Sequence, residues 1–144
     1  MLFFFIIPTI LFSQTSDNKA SLRYYLGQSK TFLNSTFQSC HIQDDTKTGG
    51  SYWVTCTGST DKYIFNLDTN GLVRSVNYIS TNNIGNTSVL FSSEVSILKN
   101  DGWEITSQTT DKNGNLFYIY NRKGACLELI YAPAFGALEI KICV

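Results

Sequence analysis

One histidine, His41, is all the imidazole in this chain, which also has a single methionine and two prolines. With one imidazole, no His-His metal pair, no H-E-x-x-H helix and no mechanism that needs two histidines can be assembled. Positive charge is scarce as well: 11 Lys and Arg are balanced by 11 Asp and Glu, for a formal net charge of zero. With no basic block to neutralise a row of phosphates, the composition argues against a nucleic-acid partner. No G-x-S-x-G elbow, phosphate-binding glycine loop, dinucleotide fingerprint or C-x-x-C pair occurs, so no metal or cofactor is implied. Paired carboxylates fare little better. Asp44 and Asp45 sit together in a polar loop, and Glu128 has Lys141 as its expected partner.

Long apolar runs are missing too. The longest, Leu2 to Phe12, is interrupted by Pro8 and Thr9. As a helix it would rise about 16 Å, roughly half the thickness of a bilayer core, so a membrane span is not expected. The sequence reads as a signal peptide over 1–14, with cleavage after Ser13 or Gln14, followed by a single secreted domain over 15–144. No cysteine follows the run, which disfavours a lipid anchor. The expected destination is periplasmic, cell-surface or extracellular.

Export changes the meaning of Cys40, Cys56, Cys126 and Cys143, because oxidation is permitted outside the cytoplasm. Three pairings exist if all four are bridged, and buried free thiols are the alternative. Local pairing, Cys40 with Cys56 and Cys126 with Cys143, is the simplest. Register supports the second pair. If Pro133 to Gly136 reverses the chain, Cys126 falls opposite Cys143 and Glu128 opposite Lys141. Leu127, Leu129 and Tyr131 then stack on Ile142, Ile140 and Leu138 across the other face.

Periodicity organises the rest. Leu22, Tyr25, Leu26, Leu33 and Phe37 recur at helical spacing, predicting a helix within 17–39, and 41–50 reads as a polar loop. Strands are expected at 51–57, 62–67 and 72–80, with Tyr52, Val54, Phe65 and Leu67 on the buried face. Arg74, Ser75 and Asn77 mark the third strand as an edge or as solvated on one face. A linker over 81–87 leads to a short helix over 88–100. Strands at 103–106, 116–122, 125–132 and 137–144 complete the pattern. The expected fold is α+β: antiparallel sheet covered on one side by two short helices, in two similar halves, 17–80 and 88–144.

Asp68-Thr-Asn-Gly71 and Asp111-Lys-Asn-Gly114 share one form and suggest that the halves are related. Both resemble the opening of a calcium loop, yet glycine arrives at the fourth position. The twelfth residues are Ile79 and Arg122, so hairpin turns are the better reading.

Helix, exit and strand from Val89 to about Lys123 carry Leu98, then Asn100, Asp101, Gly102, Trp103, Glu104 and Ile105, then Phe117 to Arg122. This order resembles small bacterial domains of unknown function in which a helix precedes a G-W-E-hydrophobic strand and an aromatic strand ending in a basic residue. The leader, ending in Ser-Gln, is similar to export signals of the Bacteroidetes group. Neither resemblance carries a catalytic residue onto this chain.

Aromatics are the remaining handle. Two helices cannot cover both faces of every strand, so Trp53, Tyr118 and Tyr120 are the candidate ligand-binding residues. The expected function is a noncatalytic binding or inhibitor-like module that recognises a protein or glycan. A cell-envelope structural or assembly component and a hydrolase with a dispersed site are the alternatives.

Overall fold

Alternating apolar and polar side chains specify a sheet with one buried face. The computed structural model describes residues 21–56, 61–80 and 84–143, with the side chains of 84–86 left aside. The expected signal peptide lies outside these residues. Eight strands form: β1 (His41–Asp44), β2 (Tyr52–Thr55), β3 (Asp61–Leu67), β4 (Val73–Ser80), β5 (Glu104–Thr110), β6 (Leu116–Arg122), β7 (Ala125–Ala132) and β8 (Ala137–Ile142). They make one antiparallel sheet in the order β1-β2-β3-β4-β8-β7-β6-β5. Each half is thus a four-strand meander preceded by a helix, α1 (Lys30–Thr36) or α2 (Ile84–Asn100). The final strands of the two halves, β4 and β8, join them, with Ser75 opposite Lys141 and Ile79 opposite Ala137. The halves therefore share one layer.

The last hairpin has the register expected from charge and burial. Leu127 faces Ile142, Glu128 faces Lys141, Leu129 faces Ile140 and Tyr131 faces Leu138. Cys126 and Cys143 are disulfide-bonded with Cα atoms 5.3 Å apart, and the Cys143 N–H donates to the Cys126 carbonyl at 3.1 Å. Cys40 and Cys56 are likewise bonded, 4.2 Å apart at Cα. They extend the β1–β2 register in which His41 faces Thr55. Each disulfide therefore staples the open end of a hairpin.

Several local expectations change. In place of one helix over 17–39, a 3-10 turn (Leu22–Tyr25) and the seven-residue α1 stand apart. Gly27, at φ +80°, breaks them, and its N–H donates to the Val73 carbonyl at 2.8 Å. Ser29 then caps α1 by accepting from the Phe32 N–H at 3.3 Å. Attachment to β4 outweighs helix continuity here, as the weak propensity of the Gly and Ser positions allows. The polar loop at 41–50 contains β1, whose pairing with β2 supplies the backbone order that its side chains do not. The linker at 81–87 is helical from Ile84 onward. β5 extends to Thr110 although its side chains are mostly exposed. β4 is central rather than an edge.

The two D-x-N-G turns do form alike. Asp68 Oδ1 accepts from the N–H groups of Asn70 and Leu72, and Asp111 Oδ1 from those of Asn113 and Asn115, at 2.8–3.0 Å. They occupy different places: one joins β3 to β4, the third hairpin of its half, and the other joins β5 to β6, the first of its half. Their likeness reflects shared turn chemistry, and the common element order of the halves stands apart from it.

Both helices lie on one sheet face. Leu22, Tyr25, Leu33 and Phe37 cover an aromatic cluster in which Tyr25 and Phe37 stand 5.4 and 5.7 Å from Phe65, centroid to centroid. In the second half Leu90 and Leu98 are buried, and Phe91 stacks on Tyr131 at 4.8 Å. A charged residue sits in this layer. Glu94 of α2 is fully buried, accepting from the Ser21 hydroxyl at 2.7 Å and from the Leu22 N–H. It ties the start of the first half to the helix of the second.

Candidate functional surface

Because side chains alternate, fixing the helix-covered face also fixes the other. The covered row through the middle of the sheet is Tyr52, Phe65, Val76, Ile140, Leu129 and Tyr118. One residue along every strand, the register crosses the opposite face from Gln43 through Trp53, Ile64 and Asn77 to Glu139. It continues through Ile130 and Phe117 to Thr109. At about 4.8 Å between strands this row is about 34 Å long. Neither helix packs on it.

Beside that row runs a polar one. The Ser51 hydroxyl donates to Asn66 Oδ1, and the Asn66 amide donates to Ser75 Oγ at 2.8 Å. Farther along the same line Lys141 Nζ meets Glu128 Oε2 at 3.0 Å. The Cys126–Cys143 bond ends this side of the sheet, whereas Cys40 and Cys56 pack against the core. The uncovered face therefore carries two apolar pairs, Trp53 with Ile64 and Ile130 with Phe117, separated by Asn77 and Glu139 and bordered by satisfied polar groups.

The aromatic residues singled out from the sequence do not share one surface. Trp53 is 37% exposed and lies in the uncovered row. Tyr118 belongs to the covered face, where its ring stands 5.4 Å from Phe91 and its hydroxyl accepts from the Gln108 amide at 3.1 Å. Tyr120 is 1% exposed inside the core, and burial pushes its phenol up to about 12. Of the three, Tyr120 is closed to a surface partner, while Trp53 and the half-buried Tyr118 lie on opposite faces. The physical reason is the pairing of β6, which sends its even-numbered side chains toward α2 and Phe117 and Ile119 outward.

Glu139 carries no motif that marks it, although the last hairpin brings it near Glu128 as the sequence allows. It is half-buried on the uncovered face between Asn77 and Ile130, and its position in the alternation of β8 was the signal available. Burial raises its carboxyl above the usual range and Glu128 adds to the rise, while Lys141 opposes it. Lys141 is itself engaged by Glu128. Elsewhere, the Thr46 hydroxyl bound to Asp44 brings that carboxyl down to about 2, helped by Lys30 at 3.0 Å. This is a surface hairpin contact on the far edge. Among the described residues, no three His, Cys, Asp or Glu side chains converge as a metal site would require, and no helix is long and apolar enough to cross a membrane.

No known protein family, curated protein or solved structure matches this chain, so its functional reading rests on the geometry of this surface.

Proposed function

We propose that the chain is an exported, noncatalytic binding module whose recognition surface is the uncovered face of the eight-stranded sheet. The observation that carries the reading is the row from Trp53 to Phe117, in which Trp53 with Ile64 and Ile130 with Phe117 stand on either side of Asn77 and Glu139 across a face on which neither helix packs. A soluble sheet normally turns polar side chains to water, and large apolar groups gathered on that side mark a contact surface. Two disulfides support export, since such bonds persist where the medium is oxidising. The side chains of the row are those of a contact surface, with a single acid among them. They do not form a nucleophile paired with its base.

Affinity capture with oxidised protein from native envelope extract of the cells that make it tests the reading. Binding should be lost with Trp53→Ala and with a bulky Ile64→Arg change in the same row. It should survive Val89→Ser with Phe135→Ser, which removes exposed apolar groups from α2 and the turn before β8. Capture indifferent to the row but abolished by the latter pair would place recognition on the helical side and overturn the proposal.

A further inference from the structure

A half-buried carboxylate whose nearest cation is turned to another acid stands out on this face. Among the described residues no hydrogen-bond donor reaches Glu139, and the neighbouring ammonium of Lys141 is held by Glu128 at 3.0 Å. The cross-strand neighbours of Glu139 are Asn77 on one side and Ile130 on the other. Beyond them the strip is apolar in both directions, with Ile64 and Trp53 toward β1 and Phe117 toward β5.

That arrangement discriminates among occupants. A neutral apolar lid would finish burying the charge without compensation, and an anionic ligand would be repelled. An incoming cation gains from the apolar flanks, which keep water away and strengthen the attraction. Size separates the remaining choices. A face about 34 Å long and about 20 Å wide offers on the order of 700 Å², close to the ~800 Å² that each partner contributes to a stable protein complex. A sugar chain would find its two stacking rings, Trp53 and Phe117, five strands or about 24 Å apart, with only Asn77 and Glu139 between them to meet its hydroxyls.

Resting on the proposal that this face is the recognition surface, we infer that it docks a protein partner presenting an arginine or lysine flanked by apolar side chains, with the basic group seated on Glu139. Arginine fits better, because its planar fork can take both carboxylate oxygens while its faces lie against apolar neighbours. The apolar anchors of the partner would lie about 14 Å from the basic group toward Trp53 and about 10 Å from it toward Phe117.

A phage-displayed library of random twelve-residue peptides, panned against the oxidised full chain, tests this. Wild type, Trp53→Ala, Glu139→Gln and Glu139→Lys are compared after thermal melts confirm that each is folded. Enriched peptides should carry a basic residue between apolar ones, lose roughly thirty-fold or more in affinity with Glu139→Gln, and weaken with Trp53→Ala. Panning against Glu139→Lys should instead enrich acidic centres. Peptides that need Trp53 but lack a basic residue, or bind Glu139→Gln unchanged, would overturn the inference and leave the recognition face in place. Soluble cell-wall oligosaccharides that bind in a Trp53-dependent way, where peptides do not, would also overturn it in favour of a glycan. Failure of every peptide and oligosaccharide to depend on Trp53 would overturn both proposals.

Discussion

Replacing Glu94 with alanine should be among the most damaging single changes outside the apolar core. Its carboxylate is the acceptor for the Ser21 hydroxyl and the Leu22 N–H, and those residues are 3% and 1% exposed. Each buried donor left without an acceptor costs about 1–3 kcal/mol, so the pair gives about 2–6 kcal/mol. At about 3–5 °C per kcal/mol for a domain of this size, a loss near 4 kcal/mol lowers Tm by about 12–20 °C. Glu94→Gln keeps one carboxamide oxygen and should cost less. The glutamine variant also isolates the charge. Burial raises the Glu94 carboxyl above its ordinary 4.5, against the opposing pull of the two hydrogen bonds and Arg23. With the folded value above the unfolded one, the folded chain holds the extra proton. The stabilisation is full below about 4.5 and is lost as pH rises through the folded value. Denaturant titrations from about pH 4 to pH 8 should therefore show wild type losing stability relative to Glu94→Gln as pH increases. Parallel curves, or a Glu94→Ala cost under about 1 kcal/mol, would refute the assignment of Glu94 as a buried acceptor joining the two halves.

Other expectations follow from the same contacts. Removing the Cys126–Cys143 bond by a double change to serine, across a sequence separation of 17, should cost about 3 kcal/mol in denaturant titrations. Native protein should take up no iodoacetamide, and peptide mapping should return the 40–56 and 126–143 links. Leu129→Ala, at a fully buried position of β7, should cost about 2–5 kcal/mol. Gly27→Ala meets no atom within 4 Å but must hold φ at +80°, so its cost should stay near 1–2 kcal/mol. Trp53→Ala should cost about 1 kcal/mol or less, because that ring is paired across strands on the uncovered face. A larger loss would mean that Trp53 serves the fold.

What could be read from the chain follows what each signal depends on. β7 was bounded correctly and paired correctly with β8 because apolar side chains, paired charges and cysteines all agreed on one register. β1 was missed because His41, Gln43 and Asp44 look like loop residues; what makes them a strand is hydrogen bonding to β2, which composition does not record. The continuous apolar stripe of 22–37 concealed the break at Gly27, since both pieces pack on the same face. The surface was legible only in part. Trp53 belongs to it, but Tyr118 and Tyr120 alternate the other way. Glu139 becomes conspicuous only once β4 and β7 are known to flank β8, a non-local fact of sheet order.

The strand that comes eighth in the chain lies fourth from one edge and fifth from the other, wedged between β7, which immediately precedes it, and β4, made long before. A ribosome delivers β1 to β7 with β4 and β7 still lacking a neighbour, and two bare edges invite pairing with the wrong chain. Completion thus waits for Ala137–Ile142 to enter the gap, and the two halves join into one sheet only through that strand.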